Sequence, residues 1–142
     1  MRRWAWIATV VFGVVLMVAA AGTWIMVAST LSNQRITVAE DADCLAGSRV
    51  RGPLSAYCQA RVIEKHTLEI TDGLTYAELD REDPRRQTAM NSSFLQASLF
   101  TSVLAFGVAG LAALAGLLFV LIGLGMKDVA EKSGELERAS SG

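Results

Sequence analysis

Two uncharged apolar runs, separated by a polar middle, set the pattern of this chain. The first lies between Arg3 and Arg35 and the second covers residues 94–126; neither holds an ionisable side chain. A helix crosses a hydrocarbon core of about 30 Å with about 20 mostly apolar residues. Both runs meet that need, and the second exceeds it by about a dozen residues. The pattern predicts an all-α membrane protein: a hairpin of two transmembrane helices carrying a small helical, disulfide-stapled extracytoplasmic cap. The expected parts are a cytoplasmic amino terminus at 1–3, a first transmembrane helix at 4–32 whose outer end emerges from the membrane, and an extracytoplasmic helical loop at 33–93. A second transmembrane helix at 94–126 follows, or one continuous helix that starts at 84, and then a cytoplasmic polar tail at 127–142. A signal peptide is the alternative for the first run, with Ala19-Ala20-Ala21 as a small-residue cleavage site. Signal h-regions span about 7–15 residues, however, and this run continues well beyond that.

The tryptophans scale the first helix. Trp and Tyr favour the two membrane interfaces, and Trp4 and Trp6 stand about 27–30 Å of helix from Trp24 at 1.5 Å per residue. Trp4 and Trp6 are then expected at one face of the bilayer and Trp24 at the other. Counting back about 20 residues from Lys127 reaches Phe106, which places Phe106 at the depth of Trp24. The surplus, 94–105, is then the wall of the outer cap. Phe94, Leu95 and Leu99 are expected to pack against 25–31 and the loop helix around Ile63.

The polar middle carries local helix signals. Acidic Glu40, Asp41 and Asp43 precede Cys44-Leu45-Ala46, with Gly47 able to end a helical turn. After Gly52-Pro53, the residues Ala56, Ala60, Ile63, Thr67 and Ile70 recur at amphipathic-helix spacing, bordered by Leu54, Cys58 and Val62. Asp72-Gly73 ends that helix. Thr75 with Glu78 fits a capping box, and Asp83-Pro84 reads as N-cap and first helical residue. No breaker follows Pro84, although Asn91-Ser92-Ser93 competes for backbone hydrogen bonds. The tail after Lys127 is expected to fray.

A polar piece of about 60 residues is marginal on core burial alone and needs a staple or a partner surface. Cys44 and Cys58 can close a ring worth up to about 3 kcal/mol. Reduced thiols packed as small hydrophobes are the alternative. Disulfides persist outside the cytoplasm, so the pair favours an extracytoplasmic loop and two cytoplasmic termini in the plasma membrane. Arg2, Arg3, Lys127 and Lys132 agree with that side assignment, while Arg35, Arg81, Arg85 and Arg86 oppose it.

Composition narrows the function classes. Hydrophobic residues make up 52% of 142 residues and mean hydropathy is +0.38. A net charge of −1 gives no electrostatic footprint for nucleic acid. His66 is the single histidine, and Glu64, Glu69 and Asp72 do not complete a ligand set around it. Glu40-Asp41-Ala42-Asp43 lacks the spacing of a calcium loop. Asn91-Ser92-Ser93 matches a glycosylation sequon, a short pattern with many chance matches. The run Asp80-Arg81-Glu82-Asp83-Pro84-Arg85-Arg86 reads as a self-compensating exposed face.

Small residues inside the spans carry a packing signal. Ala105, Ala109 and Ala113 recur every four residues and Ala112 pairs with Gly116; Gly13, Ala20, Ala21 and Gly22 can face them. Such stripes let helices approach closely, within the hairpin or between copies of the chain.

Residues 36–108 resemble a family of small two-span actinobacterial membrane proteins. The words that carry the likeness are Gly52-Pro53, Ala56-Tyr57, Thr75-Tyr76-Ala77-Glu78-Leu79-Asp80, Asp83-Pro84, and Ser93-Phe94-Leu95 through Phe106-Gly107-Val108. Members are commonly labelled aromatic ring-opening dioxygenases. The resemblance implies membership and a two-span architecture, and it brings no established activity or functional residues.

An extradiol ring-opening site needs a metal held by two histidines and a carboxylate, and this chain has only His66. The expectation is therefore a non-enzymatic accessory or scaffold subunit acting through its cap, with no cofactor. Its expected partners are the lipid bilayer and a membrane or extracytoplasmic protein, or a second copy of itself, and no nucleic acid. The alternatives are the dioxygenase of the label and a homo-oligomeric pore or transporter component.

Overall fold

A computed structural model describes residues 2–140. Met1, Ser141 and Gly142, the ends of the two expected cytoplasmic segments, lie outside the described residues, as do the side chains of Arg2, Arg3 and Glu137. Three helices form: α1 (Arg2–Asn33), α2 (Pro53–Ile70) and α3 (Arg86–Ser140). No strand forms among the described residues, so the fold is all-helical. Two of the helices, α1 and α3, are long and apolar enough to cross a membrane. The chain divides into two compact units, one made of the residues up to Thr23 with those from Val108 onward, the other of Trp24–Gly107.

The first unit is a pair of helix segments in backbone contact. A Cβ placed on Gly13 would lie 2.5 Å from the Gly116 carbonyl oxygen, and one placed on Gly116 would lie 2.6 Å from the Gly13 carbonyl oxygen. Gly123 is equally confined, against Val10 and the Trp6 backbone. Only glycine permits such an approach, as in small-residue helix crossings. Phe12 and Phe119 meet edge to face at 5.1 Å between ring centres. The buried positions repeat every seven residues: Gly13 and Ala20 on α1, Ala109, Gly116 and Gly123 on α3. A seven-residue repeat keeps one seam of each helix turned to its partner through a left-handed wind. The other sides stay bare, with Val11, Phe12, Val14, Val15, Val18, Leu111, Leu114, Leu118, Leu121 and Ile122 all exposed.

The second unit has a small core of its own. Leu31, Val38, Val50, Ala56, Cys58, Ala60, Leu99 and Phe106 form it, with Val27, Ala28, Ile36 and Ile63 packed against it. Phe106 is the largest fully buried side chain and meets Trp24 edge to face at 4.7 Å. Burying a side chain of this size contributes roughly 1.5–3 kcal/mol from area alone. The ring between Cys44 and Cys58 is closed, with S–S 2.01 Å.

α2 starts where Gly52 takes an extended conformation and Pro53 supplies the first helical residue. The Ser55 hydroxyl accepts the Gly52 N–H at 3.2 Å. The helix ends in a left-handed turn, with Asp72 at φ 54° and Gly73 at φ 83°. The Gly73 N–H reaches back to the Leu68 carbonyl at 2.7 Å, satisfying an end carbonyl as such turns do.

Three expectations need correction. The segment around Glu40–Cys44–Gly47 forms turns and no helix. Its backbone is claimed instead by a short antiparallel ribbon, with a bridge between Thr37 and Arg49. Val38 N–H donates to Ser48 (2.8 Å), Val50 N–H to Ile36 (2.9 Å) and Gly47 N–H to Val38 (2.9 Å). Second, of the three residues expected in the cap wall only Leu99 is buried; Phe94 and Leu95 are 67% and 51% exposed. The buried face of α3 follows Leu99 and Phe106 one heptad apart, and Phe94 and Leu95 fall off that stripe. Third, α3 does not fray after Lys127 but runs through Ser140; at Asn91-Ser92-Ser93 it is unbroken, as the lack of a breaker after Pro84 implies. The Ser93 hydroxyl bonds the Ala89 carbonyl within the helix at 2.9 Å, which removes its competition for the backbone.

Candidate functional site

The polar side chains gather on the second unit, and the ribbon positions the first group of them. Alternation along the ribbon turns Val38 and Val50 inward, both 1% exposed, and leaves Thr37, Arg49 and Arg51 outside. Arg35 stands in the turn between α1 and the ribbon, at φ 53°. Among the described residues, Arg35, Arg49 and Arg51 form no ion pair, whereas Arg61 pairs with Glu64 and Arg85 with Asp72 and Asp83. Beyond the ribbon, the Ala39 N–H donates to the Gln59 side-chain oxygen at 3.1 Å, tying the loop to α2.

His66 comes next to Asp41. Its Nε2 donates to Asp41 Oδ2 at 2.5 Å, with Lys65 Nζ 4.0 Å from the same oxygen. The hydrogen bond from His66 holds the Asp41 carboxyl below its ordinary value of 3.8. Glu40 and Asp43 do not join this pair. Among the described residues no three His, Cys, Asp or Glu side chains gather in a metal-holding group. The cavity beside the disulfide, lined by Asp41, Asp43, Arg61 and Lys65 among others, measures about 20 Å³, far below the several hundred Å³ of a small-molecule pocket.

A third group sits at the start of α3. The Arg85 guanidinium donates to Asp72 at 2.7 Å and to Asp83 at 2.8 Å, and the Asp83 carboxylate also accepts the Arg85 backbone N–H at 2.8 Å. These bonds from Arg85 lower the Asp83 pKa and hold Arg85 more firmly charged. Asp83 thus closes a turn through Pro84 and Arg85 ahead of α3, whose first helical residue is Arg86 and not Pro84 as expected. Glu78 reaches back to the Thr75 N–H at 2.8 Å, and that backbone bond lowers its pKa. Arg86 bonds the Leu79 carbonyl and lies 4.3 Å from the Tyr76 ring centre. An open cleft of about 260 Å³ runs along Tyr76, Asp83, Arg86 and Met90.

The residues singled out in the apolar runs separate into two sets. Gly13 and Gly116 meet, and Ala109 is buried, with Ala105, Ala112 and Ala113 half-buried. Ala21 is exposed, and open space surrounds Gly22. Trp4 is 75% exposed, Trp6 has the Lys127 ammonium 5.7 Å from its ring centre, and Trp24 holds Phe106. Sequence reasoning missed Gly123 and the arginine-bearing ribbon. The signals for them were the seven-residue spacing from Gly116 and the alternation in Ile36-Thr37-Val38 and Arg49-Val50-Arg51.

Chemically the second unit offers charged and hydrogen-bonding surfaces fixed on a stapled frame. No nucleophile–base pair and no enclosed pocket accompanies them among the described groups. Compared with family models, curated proteins and solved structures, the chain matches none of them.

Proposed function

We propose that this chain is a two-pass integral membrane protein of the cell membrane, both termini cytoplasmic and the stapled unit outside. In this reading it acts as a non-enzymatic accessory subunit that binds another protein through the stapled unit. The observation that carries the reading is the bare apolar surface of α1 and α3, which extends over uncharged runs on both helices. Water does not tolerate apolar patches of that extent on a monomer, whereas lipid requires them. The disulfide supports an outside location for the second unit. Support for a binding role comes from Ile70, Leu74 and Tyr76, apolar side chains exposed beside the Asp72–Arg85–Asp83 group. An apolar centre with a charged rim is the usual build of a protein interface.

The ring-opening activity attached to the resembled family finds little support. The one imidazole is already hydrogen-bonded to Asp41, and an extradiol centre requires two. Membership of that family, which we also infer, therefore speaks for architecture alone.

Two measurements test the proposal. Alkaline carbonate extraction should leave the chain with the membrane pellet; release into the supernatant would sink the spanning reading. Mild detergent extraction with crosslinking should give a defined complex with crosslinks from 70–76, lost in Ile70→Glu. A strictly monomeric, partner-free chain would sink the accessory role.

A further inference from the structure

We propose that the outer face of the ribbon and the first turn of α2 form a docking surface for anionic phospholipid headgroups. The proposal rests on the membrane-spanning reading above and is independent of the protein-partner reading.

Charge is the first argument. Arg49 and Arg51 lie two residues apart on one extended segment and so share its outward face, and Arg35 precedes the opposite segment. All three are exposed, and none has an ion-pair partner among the described residues. This is an uncompensated cationic patch on a unit whose middle, 33–93, carries ten acids against eight bases. Of the acids, Glu64, Asp72 and Asp83 are taken by Arg61 and Arg85 and Asp41 by His66, while Glu40 turns to Gly47 in the ribbon's own loop. The amino end of α2 adds to the patch. Gly52 at its N-cap offers no side-chain acceptor to the first-turn N–H groups, and a helix amino terminus carries partial positive charge that favours phosphate.

Apolar continuity is the second. Leu54 is 63% exposed in the first turn of α2, and one turn on the exposed Tyr57 meets Phe100 of α3 at 6.2 Å between ring centres. Leu54, Tyr57, Phe100 and Leu104 are all exposed, so the arginines border an apolar and aromatic surface. A segment with an apolar side and an Arg-rich border is what lies in a lipid interface.

Depth is the third, and it can be measured within this unit. Trp24 and Phe106 pair at one level, the level at which an interfacial Trp sits. Phe100 is about 9 Å and the end of α1 about 13 Å of helix beyond that level. Headgroups add roughly 5–8 Å to each side of the hydrocarbon core, and an arginine side chain extends back toward them with its apolar stem on apolar surface. Tyr57, against Phe100, therefore stands close above the headgroup layer, and in this proposal Arg49 and Arg51 extend back to its phosphates. Charge, apolar surface and depth together fit a lipid surface.

The test uses the full oxidised chain in nanodiscs, with phosphatidylcholine alone or with added phosphatidylglycerol, and follows amide exchange of residues 49–57. Expected is slower exchange as phosphatidylglycerol is titrated in, reversed by high salt. Each arginine near an anionic surface is worth about five-fold in apparent affinity. Arg49→Gln with Arg51→Gln should thus weaken the apparent affinity by about 25-fold, so that phosphatidylglycerol fractions that protect the wild-type chain leave the variant unprotected. Arg81→Gln, another exposed arginine of the same unit outside any ion pair, should leave it unchanged. An unchanged thermal unfolding transition in each variant shows that the unit has folded. Equal exchange in both disc types would overturn the proposal while leaving the spanning reading intact. Protection by inorganic phosphate in phosphatidylcholine discs would replace it with a free-anion site, and protection by polyglutamate but not by phosphatidylglycerol would replace it with a protein surface. A chain that fails to enter discs at all would remove the spanning reading and this proposal with it.

Discussion

Backbone touches backbone in the first unit, whereas the second is held by side chains, a disulfide and a three-residue ribbon. At Gly13 and Gly116 the two helices leave no room for even a methyl group. The contact needs only that nothing protrude, and the outward faces stay apolar. Around Val38, Val50, Leu99 and Phe106, by contrast, stability comes from what protrudes and is buried. One sequence thus uses glycine for closeness where its runs are apolar, and large side chains with a covalent staple where it is polar. The lesson is that the same pair of helices obeys two different packing rules along its length.

Removing the centre of the second unit should have the largest effect. Phe106→Ala deletes its largest buried side chain and the Trp24 contact, and should destabilise that unit by about 3–5 kcal/mol. Thermal unfolding read by Trp24 fluorescence checks it, in a Trp4→Phe, Trp6→Phe background. If the loss were below about 1 kcal/mol, burial would not be the second unit's rule. Opening the ring comes next: Cys44→Ser with Cys58→Ser should cost about 3 kcal/mol, measurable by denaturant unfolding of 24–107 probes in the full chain. The first unit should be indifferent to both changes.

The reverse experiment addresses the first unit. Gly116→Leu forces a side chain against the Gly13 carbonyl oxygen and Met17, and overpacking of this kind costs about 1–3 kcal/mol. Gly110→Ala, which meets open space, should be within about 0.5 kcal/mol of wild type, as surface changes usually are. Crosslinking between cysteines placed at Val14 and Leu117 would read the pairing, with the stapled unit's melting left unchanged.

The smallest effect is electrostatic. Asp41 is held below its ordinary value of 3.8 chiefly by the His66 hydrogen bond. A carboxylate lowered on folding adds stability that is fully present above its unfolded value and is lost as pH falls through its folded value. Anchoring of the 40s loop to α2 should therefore weaken only below about pH 4. Carboxyl chemical shifts of Asp41 should move through a midpoint below 3.8, and Asp41→Asn should remove the effect while barely changing melting at neutral pH.

Much of the scaffold could be read from the chain because its signals are local. Charge-free runs marked α1 and most of α3, Gly52-Pro53 and Asp72-Gly73 bounded α2, and the cysteine spacing fitted a ring. Thr75 with Glu78 and Asp83 before Pro84 also formed the bonds their spacing suggests. What stayed hidden depends on distant partners. The ribbon's alternation covers only three residues on each side, too few to stand out from chance, and its valines are ordered by a core that includes Leu99 and Phe106, far along the chain. The acidic cluster at Glu40, Asp41 and Asp43 resembled a helix start because acids favour that position, yet Gly47 and Val38 claimed the backbone for the ribbon. Phe94 and Leu95 were assigned to the core by hydrophobicity alone, which cannot say which face of a helix is covered.

The order of the chain gives the staple a further consequence, in time. Cys44 and Cys58 both precede α3, which brings Leu99 and Phe106 to the core. At about 5–20 residues per second, a translating ribosome delivers the cysteines seconds before those side chains. The ring can thus close around the ribbon and α2 while the last wall of the core is still unmade. α3 then docks onto a half already fixed, and a chain stopped just short of Leu99 should still accumulate the closed ring.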